Sequence, residues 1–181
     1  LLALAASKSW HVYQTDIVQA FLHGVLDDVN IFIRPPARFP CPVNYVLRLL
    51  KAVYGLHQAP VKFKQEVVVW FKENKCVPVN DAETIWMCRD KKGGIIIHAL
   101  YADDFLHFTT HPALFQSFSK EFKRKFEVKS GAVAVYLGNR VVVAPTKLSV
   151  NLDQTHYVDE LLERFGMQEC NPEPTPMVSR L

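Results

Sequence analysis

Apolar positions recur with two different periods along the 181 residues. In HVYQTDI (11–17) they alternate, the period of a strand with one face against a core, and the run ends on a carboxylate, Asp16. From Pro60 to about Asn74 the period changes. Phe63, Val67, Trp70 and Phe71 fall at i, i+4, i+7 and i+8, a single stripe on a helix that Pro60 can open. Packing alone accounts for these aromatics, without a cofactor. ETIWM (83–87), GIIIHALY (94–101) and FLHFTT (105–110) read as strands, the last two joined by a tight turn that holds Asp103 and Asp104. A second helix, 111–127, starts near Pro112 and lines up Phe115, Phe118, Phe122 and Phe126 opposite Lys120, Lys123, Arg124 and Lys125. YLGNRVVVA (136–144) with LSVNL (148–152) predicts a hairpin, and DQTHYVDELLERFG an amphipathic helix that Gly166 stops. Residues 1–8 look helical; between Asp16 and Pro60 lie a short AFLHG segment and two strands, IFI (31–33) and YVLRL (45–49), around the loop RPPARFPCP.

This order predicts one α+β unit, strands in a central sheet with helices set against it, without internal repeats or low-complexity linkers. A hydrophobic content of 49% is enough for a substantial core and argues against disorder. With 21 Lys+Arg against 18 Asp+Glu the net charge is +3, so any grip on nucleic acid must come from local clusters rather than a global field. Cys41, Cys76, Cys88 and Cys170 are widely spaced, with no CxxC pair, which indicates neither a zinc site nor a disulfide framework and makes a reducing interior the default. The opening LLALAASKSW fits neither a secretory signal nor a membrane span and reads as the start of a piece cut from something longer.

The stretch HALYADDFLHF (98–108) poses the chemical question. Asp-Asp is good turn chemistry on its own, because short polar side chains bond to nearby backbone. Here, however, the flanking strands are apolar on both faces, which places the acids at the rim of a buried sheet. Adjacent carboxylates in such a place repel one another unless a proton or a cation intervenes, and a divalent metal is the simplest remedy.

Five blocks carry a resemblance: YQTDIVQAFLHG (13–24), VYGLHQAP (53–60), YADD (101–104), YLG (136–138) and TPM (175–177). In this order, over nearly the whole chain, they resemble the reverse transcriptase of copia-type LTR retrotransposons. The resemblance implies an α+β right-hand polymerase palm, a central antiparallel sheet packed on helices with partial fingers, filling residues 1–181; about 153–181 would begin a C-terminal helical, thumb-like extension. It implies RNA-directed DNA synthesis, with dNTPs added to a primer on an RNA or DNA template by two-metal nucleotidyl transfer using Mg²⁺, with Mn²⁺ as a substitute. Asp16, Asp103 and Asp104 match the catalytic, metal-holding carboxylates, with Asp16 and Asp103 as ligands proper and Asp104 in a weaker role. Hard cations prefer carboxylate oxygens, so these residue types suit that chemistry.

Other positions follow from the same match. Phe21 matches the aromatic under the incoming sugar, Gln58 a contact to the incoming nucleotide and Gly55 the tight turn before it. Tyr101 would face the template-primer, and Leu137 and Gly138 the primer end. Arg34, Lys51, Lys62 and Lys64 are collective candidates for phosphate contacts. The chain departs from the family at Val61 and Phe63, where Arg and Trp are expected, and at Ala102, where Val is commoner; a basic fingers segment upstream is missing. The implied partners are the rest of a Pol polyprotein, namely protease, integrase and RNase H, inside intracellular, cytoplasmic virus-like particles with no membrane. The alternative is a catalytically inactive retroelement relic that at most binds nucleic acid.

Overall fold

The structure, a computed structural model, describes residues 1–144, 146 and 149–172. Helix α1 (Leu2–Ser7) leads into β1 (His11–Ile17), a short 3₁₀ helix (Ala20–His23) and the small strands β2 (Phe32–Ile33) and β3 (Leu47–Arg48). Helix α2 (Ala59–Glu73) is followed by β4 (Val77–Pro78), β5 (Ile85–Arg89), β6 (Ile95–Tyr101) and β7 (Asp104–Thr109), then α3 (Pro112–Phe122). After α3 come β8 (Val128–Ala132), β9 (Val135–Tyr136), β10 (Asn139–Val143), β11 (Val150–Asp153) and α4 (Thr155–Arg164). The central sheet runs β4-β5-β6-β7-β1-β8, every pairing antiparallel; β11-β10-β9 and β2-β3 form separate small sheets.

Side chains alternate across a strand, so each face of the central sheet collects its own core. One face takes Ile17, Ile96 and Phe105 against the aromatic stripes of both long helices, including Phe63, Trp70, Phe71, Phe115, Phe118 and Phe122. The other takes Val12, Ile97, Leu106 and Phe108 against Ala5 of α1. The predicted stripes on α2 and α3 therefore face the core, and Phe126, just past the end of α3, is buried with them. The last helix differs from its expectation. Gly166, at φ +63, closes it with Met167 N–H donating to Leu162 C=O at 2.8 Å and Gly166 N–H to Glu163 C=O at 3.0 Å, a Schellman ending. Yet none of its residues is buried: Leu161 and Leu162 are only half-covered, and Tyr157 and Val158 are exposed.

Three further differences have physical causes. Strand β8 escapes sequence reading because VKSGA has no alternating apolar pattern; it forms because the free edge of β1 offers backbone partners. Asp104 is not a turn residue but the first residue of β7, paired with Tyr101, so the turn is Ala102–Asp103 alone, with Ala102 at φ +50. Cys76 and Cys88 are bonded as a disulfide, contrary to the expectation of unpaired cysteines. Antiparallel pairing of Val77 with Met87 puts residues 76 and 88 opposite one another, which spacing in sequence does not reveal. The TPM block lies outside the described residues.

At the centre of the β6–β7 hairpin, His98 and His107 are cross-strand partners with no exposed surface, and their Nδ1 atoms are 2.7 Å apart. One ring must donate and the other accept, so both cannot be charged. Burial holds His98 down to about 3; burial and then the neighbouring His98 hold His107 well below its ordinary value. Because both folded values lie below 6.5, this contribution to stability is complete above 6.5 and is lost as pH falls toward the folded values. Urea unfolding should show the free energy dropping by up to about 1.4 kcal/mol per pH unit for each ring between pH 6 and 4. The double variant H98F/H107F should lose most of that extra slope relative to wild type.

Candidate active site

The β1–β7 ladder builds the acidic rim. Asp16 is the direct cross-strand partner of Asp104, so both side chains leave the same face of the sheet. The ladder continues past this pair through Ile17 N–H, which donates to Asp103 C=O at 3.3 Å. Asp16 on one strand and Asp103 and Asp104 at the start of its neighbour thus stand at the same end of the sheet, on or beside the face whose interior holds Val12, Leu106 and Phe108. Gln14, two residues back on the Asp16 face, donates from Nε2 to Asp104 Oδ1 at 3.4 Å. Lys129 of β8 is the partner of Asp16 on its other side and brings a basic residue to the rim by register.

Charge crowding is visible at Asp104. Burial raises its carboxyl above the usual carboxylate range, Gln14 lowers it, and Asp103 and Asp16 raise it further. Among the described residues, no group of three His, Cys, Asp or Glu side chains is already arranged to hold a metal ion. The donor set nevertheless fits a hard divalent cation, because hard cations take carboxylate oxygens and three carboxylates crowd one rim. That excess negative charge is what a cation would relieve.

The remaining predicted residues are unevenly placed. Phe21, in the 3₁₀ helix, is half-buried, its ring 4.5 Å from that of Tyr54 and 6.3 Å from that of Phe63. Gly55, at φ +92, follows Tyr54 in a turn closed by Leu56 N–H donating to Val53 C=O at 3.2 Å, a backbone that strains any residue with a Cβ. Gln58 precedes α2 as its N-cap residue, and its side chain makes no capping bond. Tyr101 is 61% exposed on the Asp104 face. Leu137 and Gly138, at φ +49 and +74, form the two-residue turn between β9 and β10, as a type I′ hairpin requires. Their hairpin stands by the rim: the Tyr136 phenol is pushed up by burial first, then by Asp104 and Tyr101.

Of the proposed phosphate contacts, Lys62 is committed within the molecule, with Nζ 2.7 Å from Asp28 and 3.4 Å from Asp27, and Lys64 Nζ donates to Ala82 C=O. Residues that sequence reasoning passed over are Tyr54, whose hydroxyl donates to Asp103 Oδ2 at 3.2 Å, and Gln14, Lys129 and Tyr136. Tyr54 sits inside the VYGLHQAP block beside Gly55, a signal that was available; Lys129 lies in the strand that had no signal at all.

Fold and rim together define a mixed α/β domain on an antiparallel sheet that gathers three aspartates at one end. The chain belongs to the reverse transcriptase (RNA-dependent DNA polymerase) family, whose model matches residues 1–179. It is 30% identical over its whole length to the retrovirus-related Pol polyprotein from transposon TNT 1-94 of Nicotiana tabacum. It is 33% identical over 98% of its length to the Pol polyprotein from transposon RE1 of Arabidopsis thaliana. It is 25% identical, again over 98% of its length, to the Ty1-NL2 Gag-Pol polyprotein of Saccharomyces cerevisiae. The plant polyproteins are those of copia-type transposons, as the five sequence blocks imply. The chain spans 14%, 12% and 10% of these three relatives respectively. Among the described residues no helix is long and apolar enough to cross a membrane.

Asp104 carries a testable linkage. Its folded value is raised, so its contribution favours folding only when protonated: it is present below 3.8 and lost as pH rises through the folded value. Asp104→Asn should therefore raise Tm at pH 7 without added divalent ions, and the gain should vanish below pH 3.8. Thermal unfolding at the two pH values checks both halves.

Proposed function

We propose that this chain is the palm, with part of the fingers, of an RNA-directed DNA polymerase that extends a primer with dNTPs on an RNA or DNA template. The observation that carries the reading is the register of β1 against β7, which sets Asp16 beside Asp104 and ties Ile17 to Asp103. Asp16 and Asp103 are the metal ligands in this reading, and Asp104 supports them through its charge and its bond to Gln14. Two bound Mg²⁺ ions, or Mn²⁺ in their place, supply positive charge to the oxygens of the transferred phosphate and lower the pKa of the attacking hydroxyl. The chain's own part is positional. Phe21 closes the floor of the sugar slot, Gly55 turns the backbone so that the segment before α2 can reach the nucleotide, and Gln58 presents there an amide that makes no capping bond to α2. Tyr101, Leu137 and Gly138 line the path of the primer and template, where exposed aromatic and backbone groups can stack on bases and meet phosphates.

By the same reading the chain works inside a Pol polyprotein with protease, integrase and RNase H, in intracellular, cytoplasmic virus-like particles. Residues from about 153 onward would begin a thumb-like extension, with the half-exposed apolar stripe of α4 as its inner face.

Two substitutions test the assignment in a Pol chain. Asp103→Asn should lower template-directed synthesis by at least about 100-fold while the fold survives, since one carboxylate oxygen becomes a neutral amide. Primer extension at more than a few per cent of wild type would refute the ligand role. Phe21→Val should raise the rNTP to dNTP ratio of kcat/KM by about tenfold or more, because a 2′-hydroxyl gains space. An unchanged ratio would return Phe21 to an ordinary packing role.

A further inference from the structure

Tyr54 touches two parts of the site that the sequence blocks treat as separate. Its hydroxyl donates to Asp103 Oδ2 at 3.2 Å, and its ring lies 4.5 Å from the Phe21 ring at an interplanar angle of 51°. Both segments are fixed from behind. Ala52 N–H donates to Gly24 C=O at 2.8 Å, Leu26 N–H to Leu50 C=O at 3.0 Å, and Val25 bridges Lys51, so the chain leading to Tyr54 is stitched to the chain leaving Phe21. Ala52 has no exposed surface, and Gly24 lies so close to α2 that a Cβ there would come within 2.9 Å of Lys62 Cβ and Phe63 N. The Val53–Leu56 turn then lifts Tyr54 off this seam toward the rim.

Resting on the polymerase reading above, we infer that Tyr54 is a positioning residue for nucleotidyl transfer. It holds one oxygen of the Asp103 carboxylate so that the other faces the metal, and it braces Phe21 beneath the sugar. The two contacts separate chemically, since the first needs the hydroxyl and the second only the ring. With the side chain 58% exposed, the hydroxyl contributes little to folding, so its removal is a clean probe.

The experiment compares Tyr54→Phe, Tyr54→Ala and Asp103→Asn, first by Mn²⁺ titration followed by electron paramagnetic resonance and then by steady-state kinetics in a Pol chain. Tyr54→Phe should keep the wild-type Tm but weaken Mn²⁺ binding by about 3- to 10-fold, the scale of one ordinary hydrogen bond lost at an exposed position. It should lower kcat while leaving the dNTP KM and the rNTP to dNTP ratio unchanged. Tyr54→Ala should do the same and also raise that ratio, because Phe21 loses its brace. Unchanged or tighter Mn²⁺ binding by Tyr54→Phe, with binding lost in Asp103→Asn, overturns the role of Tyr54 and leaves the metal site standing. Wild-type Mn²⁺ binding by Asp103→Asn overturns the metal site itself, and the inference with it.

Discussion

The antiparallel pairing of β1 with β7 is the constraint on which the rest of the molecule depends. Asp16 opposite Asp104 belongs to a ladder whose rungs also pair Val12 with Phe108 and Gln14 with Leu106. A slip of one residue would turn every side chain of β1 to the opposite face. Val12 would leave its apolar cluster, and Asp16 would enter the aromatic one beside Phe105 and Phe122, where an unpaired carboxylate is costly. The two cores therefore enforce the register, and the register in turn sets the acids side by side. The tertiary chemistry at the rim follows from hydrophobic burial several residues away.

That burial is unusually aromatic. Trp70 meets Phe118 and Phe122 edge-on, with ring centroids 5.5 and 4.8 Å apart, and Phe71 stacks on Trp86 at 5.1 Å. Such pairs favour defined geometries, which keeps the middle of the sheet rigid. The coupled histidines lie within this layer, His98 4.4 Å and His107 4.8 Å from Phe118 by ring centroids. His107 Nε2 is buried without a hydrogen-bond partner among the described residues, so the pair is not fully satisfied. By contrast, the segment between the 3₁₀ helix and α2 carries exposed Phe32, Phe39, Tyr45 and Leu50 and little regular structure.

The rim works against stability. Burial and two neighbouring carboxylates raise the Asp104 carboxyl, and Gln14 offers it a neutral donor. Lys129 reaches the rim only because β8 adds to the free edge of β1, and Tyr54 only because a glycine-bearing turn lifts it there. These are arrangements a fold tolerates when crowded negative charge has a use, as the proposed metal-holding role would give it.

Periodicity and local chemistry were sufficient for much of this. The stripes Phe63–Val67–Trp70–Phe71 and Phe115–Phe118–Phe122–Phe126 determined both long helices, because a 3.6-residue period has one solution. Apolar runs around a two-residue turn determined the hairpin that carries Asp103, and the five blocks determined the family. What only the tertiary structure decided depends on pairing between distant segments, which no local pattern encodes. That Asp104 rather than Asp103 stands directly opposite Asp16, that Asp104 belongs to a strand, that Cys76 meets Cys88, that VKSGA becomes a strand and that Tyr54 reaches Asp103 are all matters of register and edge. Register is fixed by the summed burial of two faces at once, so it exists only once the chain has closed on itself.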